Sequence, residues 1–162
     1  MADAIAIKYH LEQLYRELLP QIRREMERGE LMARVFILNA EKKITMVLMP
    51  FVDRADQRIH CAFVDDRCAE EEALGMIFFS ETWVLRREGK TFEAMRAELP
   101  DDFSEAPDKE QALWALLLTH GWQQSLTTRF ARDGRRVRFA EEQNFKEGME
   151  QRMFHYFKRW LI

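Results

Sequence analysis

Hydrophobic and polar positions along this chain repeat with two different periods. Over residues 4–28, Ile7, Leu11, Leu14, Leu18 and Ile22 recur at three- and four-residue steps, and Tyr15, Leu19 and Met26 widen the stripe. That spacing predicts an amphipathic helix, with Asp3 placed to cap its start and Gly29 to end it. Pro20 falls inside the pattern; it lacks an N–H and crowds the preceding turn, which predicts a kink or a break. Arg16, Arg23, Arg24 and Arg28 fall on the solvated side. Strands are predicted over 32–39 and 43–50, joined around Ala40-Glu41-Lys42. Both are apolar on both faces, which predicts interior strands covered by helices or by a partner subunit. Residues 53–74 read as a helix stopped by Gly75, on the spacing of Ala55, Ile59, Ala62, Phe63, Ala69 and Ala73. The acidic run Glu70-Glu71-Glu72 sits badly at the negative end of a helix dipole. It keeps open an alternative, a short strand over 59–64 followed by a fresh helix.

The stretch Gly75-Met76-Ile77-Phe78-Phe79-Ser80-Glu81-Thr82-Trp83-Val84-Leu85 organises the chain. Its continuously apolar first half, opened by glycine, reads as a buried strand. From Phe79 onward it alternates, with Phe79, Glu81, Trp83 and Leu85 on one face and Ser80, Thr82 and Val84 on the other. Pairing with the strand that ends at Pro50 would make the helix between them a right-handed crossover and the pair parallel. Residues 88–109 are irregular and acidic, a length that in a compact domain marks a functional or mobile loop.

Residues 112–119 are strongly apolar and predict a strand, turned by His120-Gly121 into another over 122–132. Asp133-Gly134 then turns the chain into 135–140. A two-residue turn there places Phe130 opposite Val137 and Thr128 opposite Phe139 on one face. Arg129, Arg136 and Arg138 share the other face with Ala131. Asn144 and Glu147 form a capping box for a C-terminal helix. Phe145, Met149, Met153, Tyr156 and Trp160 make one stripe of it, and Phe154, Phe157 and Leu161 a second. So much apolar surface exceeds what one sheet face covers and predicts partial burial between subunits.

Phe79-Ser80-Glu81-Thr82-Trp83-Val84, followed by Glu105-Ala106-Pro107-Asp108-Lys109-Glu110, resembles a pattern of uncharacterised small bacterial and phage-borne proteins. There a hydrophobic-SEAW-hydrophobic strand precedes an irregular segment ending in PD-R/K-x-E and then another strand. The resemblance covers residues 31–139, with Thr82 where the pattern carries alanine. It implies a shared fold, and the family brings no activity with it.

A chain of 162 residues, 47 % hydrophobic and 33 % charged, suits one soluble domain spanning 1–162. No apolar run reaches the ~18–20 residues of a membrane span, and no secretory signal opens the chain. Two cysteines, Cys61 and Cys68, point to a reducing compartment. On one helix they would stand roughly 10 Å apart, beyond disulfide reach. Net charge is −3. Residues 65–110 are acidic and 129–162 basic, which leaves room for a local nucleic-acid contact but not for a whole-protein one.

Glu81 is the candidate functional carboxylate: buried beside Trp83, its charged form would be desolvated and its proton retained for acid or base work. The competing reading is a strand-end glutamate paired with an arginine. Ser80 has no nucleophile-elbow glycines around it. The four histidines are scattered, His60, Cys61, Asp65 and Cys68 lack zinc-site spacing, and the six glycines are isolated. Neither a metal nor a cofactor is therefore expected. Arg129, Arg136 and Arg138, with Arg132 and Arg135 at the tip, could contact phosphate.

The sequence predicts an α+β (or mixed α/β) domain, a sheet of about six mostly antiparallel strands packed by N-terminal, middle and C-terminal helices. The leading functional reading is a non-enzymatic cytoplasmic interaction or accessory protein that self-associates as a homodimer. Its binding residues would come from Ser80, Glu81, Trp83, Asp108, Arg129, Arg136, Arg138, Phe154, Phe157 and Leu161. The alternatives are a small hydrolase-like enzyme with Glu81 as acid/base, and nucleic-acid backbone binding through the hairpin 129–138. No membrane partner is expected.

Overall fold

The computed structural model describes residues 4–50, 53–84 and 110–145, together with Phe157 and Trp160. Its elements are α1 (Ala4–Arg28), β1 (Arg34–Asn39), β2 (Ile44–Leu48), α2 (Arg54–Glu70), β3 (Ala73–Val84), β4 (Glu110–Thr119), β5 (Trp122–Asp133) and β6 (Arg136–Phe145). The six strands form one sheet in the order β2-β1-β3-β4-β5-β6, and every neighbouring pair is antiparallel. The fold is α+β. β3 therefore lies between β1 and β4 rather than against β2, and the parallel crossover does not form. α2 instead returns the chain to the far side of β1.

Alternation along the central strands sorts their side chains into two cores. Phe36, Leu38, Ile77, Phe79, Leu113, Leu117, Leu126 and Phe130 face α1, which meets them with Leu11, Leu14, Tyr15, Leu19, Ile22 and Met26. Val35, Ile37, Met76, Phe78, Leu116 and Leu118 face the other way, against Cys61, Val64 and Cys68 of α2 and against Phe157 and Trp160. Of the two strands predicted to be interior, β1 is covered on both faces within one chain, whereas β2 is the outer edge of the sheet and alternates exposed with half-buried positions. Phe78 meets Trp114 and Phe157 with ring centroids 5.5 and 5.9 Å apart. The predicted C-terminal helix falls almost wholly outside the described residues, but two of its apolar positions, Phe157 and Trp160, are core.

α1 continues through Pro20 without a break. α2 starts on Asp53, whose side chain accepts from the Asp56 N–H, and the alternative strand over 59–64 is absent. The helix ends at Glu70, ahead of the predicted glycine stop, and Glu72 turns the chain with φ of 51°. Gly75 sits inside β3, for a packing reason. A Cβ there would lie 2.7 Å from a methyl of Leu11 and 2.9 Å from the Leu118 carbonyl oxygen. Only glycine lets α1 come down on the sheet at this point.

The last hairpin shifts by two residues from its predicted register. Asp133 pairs with Arg136, so Gly134 and Arg135 are the loop, and Phe130 stands opposite Phe139. Gly134 takes a φ of 61° at the first loop position, the requirement of a type II′ turn. An even shift preserves the faces, so Phe130, Val137 and Phe139 still point toward α1. A bulge between Thr128 and Phe130 places Glu142, rather than Phe139, opposite Thr128. The predicted cap at Asn144 is also overturned. β6 runs on to Phe145, with Asn144 opposite Leu126, because pairing with β5 offers its backbone more than a helix start does.

Candidate functional site

Glu81 lies on the α1 face of β3, two residues beyond the buried Phe79. Its side chain is 10 % exposed. It accepts the Leu31 N–H at 3.1 Å and forms an ion pair with Arg132 of β5. The same guanidinium donates to the Met26 carbonyl at 2.6 Å and to the Gly29 carbonyl at 3.3 Å. Those oxygens lie in the last turn of α1 and just past it, where helix carbonyls run short of internal donors; the Met26 carbonyl also accepts the Gly29 N–H at 3.4 Å. Burial pushes the Glu81 carboxyl above its ordinary range, and the Leu31 amide and Arg132 pull against it. Such a carboxyl can hold a proton. Here its partners are also what fastens α1 to the sheet.

Two further polar ties do the same elsewhere on the helix. Glu25 pairs with the nearly buried Arg34 of β1 through both oxygens, at 2.7 and 3.0 Å. Glu142 of β6 takes a forked bond from Arg16, at 2.8 and 3.2 Å, and accepts the Tyr15 hydroxyl. Burial, then the bond to Glu142, raises the Tyr15 hydroxyl above its ordinary range. α1 is thus held by charged or polar groups of β1, β3, β5 and β6. Neither Arg34 nor Glu142 was singled out in the sequence; a buried arginine among apolar neighbours, as in Arg34-Val35-Phe36, is the signal that could have marked one of them.

Of the remaining predicted site residues, Trp83, Arg129 and Arg138 come together around one hollow and the others are dispersed. The Ser80 hydroxyl donates to the main-chain carbonyl of Glu81 at 3.0 Å. Trp83 is 40 % exposed and borders an open hollow of about 780 Å³ with Gln111, Arg129, Phe130, Arg132 and Arg138. Glu81 does not line that hollow. Arg129 pairs with Glu110 at 3.1 Å. Arg136 and Arg138 share one face of the hairpin with Ala131 and carry no ion pair among the described residues. Phe157 is fully buried. Asp108, Phe154 and Leu161 lie outside the described residues. Among those described, no group of three or more His, Cys, Asp or Glu could hold a metal ion, and no helix is long and apolar enough to cross a membrane.

One surface that sequence reasoning missed is the outer edge of β2. Ile44, Met46 and Leu48 are each about half exposed. They lie on the α1 face of the sheet, opposite Leu38, Phe36 and Arg34 of β1, but beyond the cover of α1. Ile59 and Phe63 add an exposed apolar pair on the outer side of α2. Comparison with protein-family models, with curated proteins and with solved structures finds no match.

Proposed function

We propose that the protein is a non-enzymatic interaction module that self-associates, in a cytoplasmic setting that its two buried cysteines, not joined in a disulfide, support. The exposed apolar stripe Ile44, Met46 and Leu48 on an edge strand carries this reading. Edge strands that stay single normally bear charges, proline or a bulge. The other edge, β6, does so with Arg136, Arg138, Glu141 and Glu142, whereas β2 has no charged residue at all. The catalytic alternative has less behind it, since the partners of Glu81 fasten the helix. Sedimentation velocity from about 1 to about 300 µM, the range suited to a small interface, tests the reading. The expected result is a concentration-dependent dimer; a monomer throughout overturns it.

A second reading, contact with a phosphate backbone, is favoured by one observation. Arg135, Arg136 and Arg138 stand exposed at one hairpin without an ion-pair partner among the described residues. Its test is binding of a single-stranded oligonucleotide across a salt series. Affinity that falls with salt and is lost on replacing the three arginines by glutamine would support it.

A further inference from the structure

The backbone of β2 says what its edge would take. Lys43 gives its carbonyl to the Asn39 N–H and Met49 gives its N–H to the Ala33 carbonyl, both toward β1. In an extended strand the N–H and C=O of one residue point the same way, and successive residues point to opposite sides. Odd-numbered residues of β2 therefore bond to β1. Ile44, Met46 and Leu48 turn their N–H and C=O groups outward. These are the same residues whose apolar side chains stand half exposed. Free main-chain pairs and bare side chains coincide on one residue set.

Resting on the self-association reading, we infer that the occupant of this edge is a second copy of the same strand, antiparallel about a two-fold axis at Met46. In that register Met46 faces Met46 of the other copy, and Ile44 faces Leu48. Each of these is a hydrogen-bonded pair, because all three residues aim their amide and carbonyl outward. Every side-chain pair on the α1 face is then apolar on apolar, and no like charges meet, since Ile44-Thr45-Met46-Val47-Leu48 contains none. Shifting the register by one residue would oppose outward groups to inward ones and break the ladder. Shifting it by two would leave an outward group at each end unpaired. The result is one continuous sheet with both α1 helices on the same face. Strands this short bury less than the ~1,200 Å² of a standard interface, so the dimer is weak and reversible.

The experiment compares the wild-type chain with Met46→Lys, Met46→Cys, Ile44→Cys and Ile59→Lys by sedimentation and by oxidative cross-linking. Met46 is half exposed, so the lysine is tolerated by the monomer, which an unchanged circular dichroism spectrum and melting temperature confirm. Two lysines face to face should move the dimer midpoint at least about tenfold upward in concentration, while Ile59→Lys leaves it in place. Under oxidation Met46→Cys should give a covalent dimer and Ile44→Cys should not, because only residue 46 meets itself. The native cysteines are buried and stay out of the reaction. A wild-type dimer that survives Met46→Lys overturns the pairing and leaves self-association standing. A wild type monomeric at every concentration overturns both. A pure monomer that holds a foreign strand, released by Met46→Lys, overturns the choice of a second copy. Cross-linking at residue 44 and not 46 overturns the register.

Discussion

The guanidinium of Arg132 donates to the carbonyl of Met26, joining β5 to the last full turn of α1 across 106 positions of chain. With its other nitrogen it holds Glu81 and the Gly29 carbonyl. Truncating Arg132 would leave the nearly buried Glu81 carboxylate without its cation and take one donor from each of the Met26 and Gly29 carbonyls. Arg132→Ala should cost about 2–4 kcal/mol in urea unfolding. Pairing Arg132→Met with Glu81→Leu should recover a large part of that, since the apolar pair leaves no buried charge.

The carboxyl of Glu81 titrates above its ordinary range in the fold because burial disfavours its charge. A raised folded value means that the native state holds this proton more tightly than the unfolded chain. Its contribution to stability is present below the unfolded value and is lost as pH rises through the folded one. The unfolding free energy of wild type minus that of Glu81→Gln should therefore fall across that window. A flat or rising difference between matched urea titrations would contradict this.

Tyr15 gives an alkaline counterpart. Its hydroxyl is raised by burial and by its bond to Glu142, so the fold resists losing this proton. Stability should decline above the unfolded value of about 10. Tyr15→Phe should flatten that limb while losing about 1 kcal/mol at neutral pH for the missing hydrogen bond. Melting temperatures between neutrality and strong alkali measure both effects.

Gly75→Ala tests how closely α1 meets the sheet. The new methyl would collide with Leu11 and with the Leu118 carbonyl, and should destabilise by about 1–3 kcal/mol. Adding Leu11→Ala relieves the side-chain clash but not the backbone one. The double variant should therefore stay less stable than Leu11→Ala alone.

Cys61 and Cys68 lie fully buried under α2, and burial, with Asp65 nearby, pushes the Cys61 thiol up to about 12. A thiol reagent at mild alkaline pH should meet neither group in the native state. Labelling should be slow, should follow the opening of α2 from the sheet, and should become immediate in denaturant.

The α1 stripe was legible because helical spacing is local. Leu11, Leu14, Tyr15, Leu19, Ile22 and Met26 are read from the chain and are the residues buried. The face of Glu81 was legible for the same reason, by counting from Phe79. Its partner was not, because nothing within a few residues of either group brings Arg132 across 51 positions; strand order does. Strand order also decided what the apolar strands meant. β1 and β2 read alike, both apolar on two faces, yet one is interior and the other is an edge. The hairpin at Gly134 kept its faces and lost its register, since the glycine fixes a turn without saying whether it comes first or second. At Asn144 a capping pattern gave way to strand pairing, a tertiary preference that local chemistry does not carry.

The ties on α1 also set an order of events during synthesis. The helix is made before the sheet, and Arg16 meets Glu142 only 126 residues later. At ~5–20 residues per second, that is a wait of roughly 6–25 s. Until β3, β5 and β6 are made, an amphipathic helix with its apolar stripe bare has no sheet to lie on. The apolar stripe of α1 is thus bare for the length of that wait, and a stall before β6 would leave the helix without its tie to Glu142.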